Sequence, residues 1–315
     1  MSGTTYHDLC RRIFVARGLQ TIALAGSSAL FLTPIAARAA GAPTLRPALK
    51  EIISPDLEGS LNDQLPEAVR KKSVLVLATD ATAGAPYASI DEHSQINGMV
   101  VDIANAIGYV LGVDVKVANS PFDDIIPGLQ SGRFDLAITD MLDTKKREQV
   151  VDFVDYLVSG SSFLVATDSK LHDLDLAKLC GLSVAVERGS VEEAYVTKQT
   201  GLCKQAGNPP IKIQVFQGNN EMFLAVVGGR SDVMMGPRAQ LSYVEKISHG
   251  KVRSAGKPIG AATDGIAVPK GKGLTKPIQA ALQKLIDTGD YKKILALYGL
   301  GANGVSAATI NHASF

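Results

Sequence analysis

The stretch AITDMLDTKKREQVVDF, residues 137–153, runs from an apolar segment straight into charge, and three of its side chains could act together. Arg147 carries a planar fork of donors that can hold a carboxylate bidentately. Thr144, just ahead of KKRE, has the type and place of a helix N-cap, and Asp140 sets a carboxylate near the strand's end. A second corner of this kind lies at Gly189-Ser190, where Ser190 opens SVEE as a capping box with Glu193. Helix N-termini present unpaired N–H groups and a partial positive charge, so each is an anion site in waiting. Singly, each cap reads as ordinary capping. Together with Arg147 they point to a small anion clamped between two parts of the chain.

Other chemistry finds no comparable pattern. The histidines at 7, 93, 172, 249 and 312 lack metal-ligand spacing, and no G-x-S-x-G elbow occurs. GLGANG (299–304) spells a G-x-G-x-x-G but follows a helix-like segment rather than a strand, so it reads as a flexible terminus. No metal, cofactor or catalytic residue is expected.

The elements that must position these corners alternate in type. SVLVLATD (73–80) reads as a strand, MVVDIANAIGYVLG (99–112) as an amphipathic helix, VDVKVA as a strand, PFDDIIPGLQSG as a helix, and FDLAITD and FLVAT as strands. The second half repeats the grammar with LSVAVERG (182–189), SVEEAYVTKQTG, IKIQVFQ, NEMFLAVVGG and SDVMMG. Gly132-Arg133-x-Asp135 recurs as Gly229-Arg230-x-Asp232, a helix-ending glycine followed by turn residues. The expected fold is α/β, with two similar lobes and largely parallel sheets. Loops after the carboxyl ends of such strands are where these sheets bind ligands.

At 315 residues with 46% hydrophobic content the chain has room for two cored lobes. Its front end reads as an export signal: basic CRRIFVARG precedes apolar LQTIALAGSSALFLTPIAARA, with Ala37-Arg38-Ala39 as the cleavage pattern. Gly26, Ser27, Ser28 and Pro34 break the apolar run, which argues against a stable membrane span, and RRIF resembles a twin-arginine motif. Four arginines leave with this signal against Asp8 alone, so 28 basic and 30 acidic residues remain and no nucleic-acid patch is implied. The destination is the periplasm. Cys180 and Cys203 stay behind as an even pair in an oxidising compartment, which favours a disulfide over two free buried thiols.

LPEAVRKKSVLVLATDAT, PFDDIIPGLQSGRFDLAITDM, TKKREQVVDFVDY, GLSVAVERGSVEEAY and GIAVPKGKGLTKPIQAALQKLIDTGDYKKILALYG follow one another in an order and spacing that resembles the periplasmic solute-binding proteins of ABC amino-acid importers, the bacterial extracellular family 3 group. The resemblance covers residues 65 to 300. It implies two α/β lobes joined by a two-stranded hinge and closing like a flytrap around an amino acid or similar carboxylate. The implied partner is an ABC permease, with no nucleic acid and a monomeric state. The implied divisions are 1–39 signal, 40–70 N-terminal segment, 71–164 with 263–300 as one lobe, 165–262 as the other, and 301–315 a flexible tail.

Position by position, the resemblance places Arg147, Thr144, Gly189 and Ser190 on the ligand's carboxylate, and Asp80 on its ammonium. Phe122 would form a wall of the ligand slot, with Tyr87 a second wall residue across an apparent insertion in AGAPY. Two departures stand out: Pro237 occupies the place of the family's usual ammonium-binding Asp, and Asp140 stands where the family has a small residue. Asp140 therefore either joins Asp80 as an acidic pair, on the ammonium or on a cationic ligand that need not be an ordinary α-amino acid, or neutralises Arg147, or caps its own turn. Two rival readings share this fold: a cyclohexadienyl or arogenate-type dehydratase, with Glu187 or Asp140 as acid, and a sensory solute-binding domain.

Overall fold

Branched apolar runs bounded by Gly, Pro and Asp become the strands, and the intervening 3.6-period segments become the helices. The computed structural model describes residues 45–313, so the expected export signal over 1–39 lies outside the described residues. The N-terminal segment forms two short helices, α1 (Pro47–Lys50) and α2 (Glu67–Lys72). Its Leu49, Ile53 and Leu57 join the core beside Ile103 and Ile107, and Arg46 pairs with the buried Asp102.

The first half follows: β1 (Val74–Thr79), the hairpin β2 (Ser89–Ile90) and β3 (Ile96–Asn97), α3 (Met99–Leu111), β4 (Asp114–Asn119), α4 (Phe122–Gln130), β5 (Leu136–Ala137) and α5 (Lys145–Glu148). After β6 (Val151–Ala166) come β7 (Ser183–Glu187), α6 (Val191–Gln205), β8 (Lys212–Phe216), α7 (Asn219–Val227), β9 (Val233–Pro237), α8 (Arg238–Ile247) and β10 (Val252–Ser254). The chain returns through β11 (Ile259–Pro269) and ends in α9 (Thr275–Asp287) and α10 (Asp290–Leu297).

β1 pairs in parallel with β4 and β5, and β7 pairs in parallel with β8 and β9, which gives each half its own parallel set. The long strands β6 and β11 pair antiparallel from Val151–Pro269 to Ser161–Ile259 and link the two sets into one path of strands. These two strands are the joint. The duplicated turn has the same job in both halves: Asp135 accepts from the Val76 N–H at 2.8 Å, and Asp232 accepts from the Ser183 N–H at 2.7 Å. In each case a turn aspartate staples the start of the neighbouring parallel strand.

Cys180 and Cys203 are disulfide-bonded across a sequence separation of 23, tying the approach to β7 onto α6. Closing a loop of that size contributes about 3 kcal/mol in the chain-entropy account. Reduction should therefore lower the melting temperature by several degrees, and a Cys203→Ala variant should then show no further response to reductant in the same melt.

The closing residues, expected from their small polar composition to be flexible, are instead held along β6. The Asp155 N–H donates to Thr309 O at 2.9 Å and the Asn311 N–H to Phe153 O at 3.1 Å. The Thr309 hydroxyl donates to Asp155 at 2.6 Å, and the Ala313 N–H donates to Glu148 at 3.0 Å. Composition could not reveal this, because the partner is backbone that β6 leaves open on one edge.

Candidate functional site

The loops after β5 and β7 face each other across the joint. Thr144 caps α5, its hydroxyl oxygen accepting from the Arg147 N–H at 3.2 Å, and Ser190 caps α6 by accepting from the Glu193 N–H at 3.1 Å. Glu193 in turn accepts from the Gly189 N–H at 2.6 Å, so that amide is already used inside its own half. The Ser190 hydroxyl also hydrogen-bonds the buried Glu192 carboxylate. Gly189 has φ +75°, and a side chain there would meet Cβ of Asp123 at 3.2 Å, so only glycine fits this corner.

Arg147 crosses the gap. Its guanidinium donates to Leu142 O at 2.7 Å in its own half and to Gly189 O at 3.3 Å in the other, and it lies over the Phe122 ring at 5.3 Å. No carboxylate lies within 4.0 Å of it among the described residues. Burial lowers its pKa, while Glu192, Asp140, Asp264 and Glu187 pull the other way. An arginine stays charged under such conditions, so the structure holds a cation without a carboxylate partner among the described residues.

Around it stand buried acids. Asp80 accepts from the Thr82 N–H and hydroxyl at 2.7 and 2.6 Å and from the Phe122 N–H at 2.8 Å, which fastens the β1 loop to α4. That leaves it little capacity for an ammonium. Asp140 accepts from the Thr139 hydroxyl at 2.9 Å and, across the joint, from Asn219 at 3.2 Å. Burial, with Asp80 nearby, pushes its carboxyl up to about 6. It does not pair with Arg147. Tyr87 is fully buried and donates its hydroxyl to Asp264.

Three acids that the residue types did not mark as ligand contacts converge here as well. Glu187 ends β7 and is pushed well up by burial and by Asp140 and Asp80. Glu192 accepts from the Ser161 hydroxyl at 2.6 Å, and Asp264 lies in β11. The available signal was an acid inside the apolar runs SVAVE and DGIAV; for Glu192 it was the first turn of the capped helix. Buried and without a hydrogen-bond partner are Glu187 Oε1, Asn219 Oδ1 and Asp264 Oδ1. Each such oxygen costs roughly 1–3 kcal/mol until a donor reaches it. All three are acceptors. Pro237 brings no side-chain polar group to the cleft.

The family model for bacterial extracellular solute-binding proteins, family 3, matches residues 75–301. The chain is 32% identical over 267 residues to the arginine-binding protein ArgT of Corynebacterium glutamicum, covering 83% of this chain and 86% of that protein. It is 25% identical to ABC transporter arginine-binding protein 1 of Escherichia coli, covering 66% of this chain and 84% of that one. Among solved structures, an ancestral arginine-binding protein bound to arginine is similar at 33% identity and TM-score 0.65, covering 72% of this chain and 98% of that one. An ancestral amino acid-binding protein described as a precursor of cyclohexadienyl dehydratase is similar at 28% identity and TM-score 0.66, covering 74% and 98%.

Proposed function

The chain belongs to the bacterial extracellular solute-binding proteins, family 3, and from that premise we propose that it is the exported substrate-binding component of an ABC importer, capturing an amino acid between its halves. Residues 71–164 with 263–300 form one lobe in this reading and 165–262 the other. The observation that carries it is Arg147, a bridging guanidinium with no carboxylate partner, set between two capped helix starts. A ligand carboxylate completes that fork, the Thr144 hydroxyl donates beside it with Gly189 and Ser190 at the facing corner, and Phe122 covers the slot. The ligand's ammonium then supplies donors to the acid-lined end, where Asp140 serves better than the already committed Asp80. Closure that brings Gly189 and Arg147 together also excludes water, so binding and closure are coupled, and the closed form is what a membrane permease would recognise. Binding rather than turnover is the function in this reading, and a monomer suffices for it. The dehydratase alternative is not favoured, since the named relatives are binding proteins.

Thermal unfolding with a panel of amino acids and cyclohexadienyl acids tests this. A ligand at a hundred times its Kd stabilises by about 2.7 kcal/mol, which raises Tm by roughly 5–10 °C. Silence across all amino acids sinks the reading.

A further inference from the structure

The acids of the cleft come from different places. Asp80 and Asp140 follow strands of the first half, and Glu187 and Glu192 belong to the second. Asp264 alone among these five sits on a joining strand, β11. There β6 and β11 slip: Asp264 pairs with Leu157 while Gly265 pairs with Asp155, so Tyr156 is the extra residue of a bulge. A bulge bends its strand and re-aims the side chains beside it.

Asp264 is fully buried: Oδ2 accepts from the Tyr87 hydroxyl, the Ser159 hydroxyl also lies close enough to favour the charged carboxylate, and Oδ1 makes no well-formed hydrogen bond. No lysine or arginine lies within 4.0 Å of it among the described residues. Burial pushes its carboxyl well up, and Asp140 and Glu192 add to that. A buried carboxyl in this state is expensive unless a donor or a cation reaches it. Two further buried orphans, Asn219 Oδ1 and Glu187 Oε1, are acceptors as well. Among the described residues no three of these side chains converge as ligands of one metal ion.

Charge narrows the choice of ligand. Asp140, Glu187, Glu192 and Asp264 all act on Arg147, the one cation named among them. Burial holds these carboxyls toward their protonated forms; a zwitterionic amino acid brings no net charge against which they could ionise, whereas a positive side chain lets one of them shed its proton and pair. On the reading that this cleft takes an amino acid, we propose that Asp264 is a ligand-binding carboxylate of the joining strand, positioned by Tyr87, and that it pairs with a positive side-chain group and selects cationic amino acids. Because Asp264 rides on the joint itself, its pairing also ties the ligand's side chain to the position of β11.

Titration calorimetry of the purified protein with L-arginine and L-glutamine tests this. The wild type should prefer L-arginine. Asp264→Asn should weaken L-arginine by roughly 30-fold, the scale of a charge-assisted hydrogen bond, and L-glutamine by about threefold or less. Equal loss for both ligands, or unchanged L-arginine affinity, overturns the assignment. Should Asp264→Asn fail to fold by circular dichroism, Tyr87→Phe decides: a fall in the arginine-to-glutamine affinity ratio supports the assignment, and an unchanged ratio overturns it. A wild type that binds no amino acid at all fails the underlying reading before Asp264 is in question.

Discussion

Replacing Arg147 with alanine is expected to weaken amino-acid binding by at least a hundredfold while leaving the fold intact. The guanidinium is pre-set by Leu142 O and Gly189 O and by the Phe122 ring, so its remaining donors are oriented before a ligand arrives. Two charge-assisted hydrogen bonds to a carboxylate are worth about 3–5 kcal/mol together, which is a factor of roughly 10² to 10³ or more in Kd. The substitution also removes the one positive charge facing Asp140, Glu187, Glu192 and Asp264, so those carboxyls hold their protons still more tightly. Arg147→Lys keeps the charge but not the fork, and should fall between the two. Calorimetry with whichever amino acid stabilises the wild type gives the answer. An Arg147→Ala protein that binds normally removes the basis of the clamp.

Gly160→Ala is expected to destabilise the protein by about 3–5 kcal/mol, lowering Tm by roughly 10 °C. Gly160 sits in β6 with φ +119°, a conformation that L side chains rarely adopt. A Cβ there would lie 2.2 Å from Gly260 O and 3.1 Å from Ile259 O. Those atoms are backbone of β11, so neither strand can yield without parting from the other. The damage reaches the cleft too, because the adjacent Ser161 donates to Glu192 at 2.6 Å. Thermal unfolding of the variant checks the prediction, and an unchanged midpoint would mean that the strands do not approach as closely as this.

The periodic parts of this fold were legible in the sequence because local patterns fix them. The parallel strands, the capped helices at Thr144 and Ser190 and the duplicated Gly-Arg-x-Asp turn are all local signals. So was Arg147, whose type and spacing mark it. Asp264 was not, because its importance comes from a bulge and from acids such as Asp140 and Glu192 that are distant in the chain. Asp80 was reached only through the family resemblance, and its commitment to Thr82 and the Phe122 N–H depends on how two loops meet. The tail was misread for the same reason. Residues such as Thr309 and Asn311 carry no local structural preference, and what holds them is an open strand edge supplied by β6.

That tail has a practical use. His312 is exposed, lies between two residues that hydrogen-bond to β6 and to Glu148, and so sits at the joint one residue along from the Arg147 region. Since Cys180 and Cys203 are joined to each other, a cysteine introduced as His312→Cys would be the single free thiol among the described residues. An environment-sensitive dye coupled there would sense the bending of β6 without touching the ligand. The exposed His312 thus offers an attachment point for an optical reporter beside the joint.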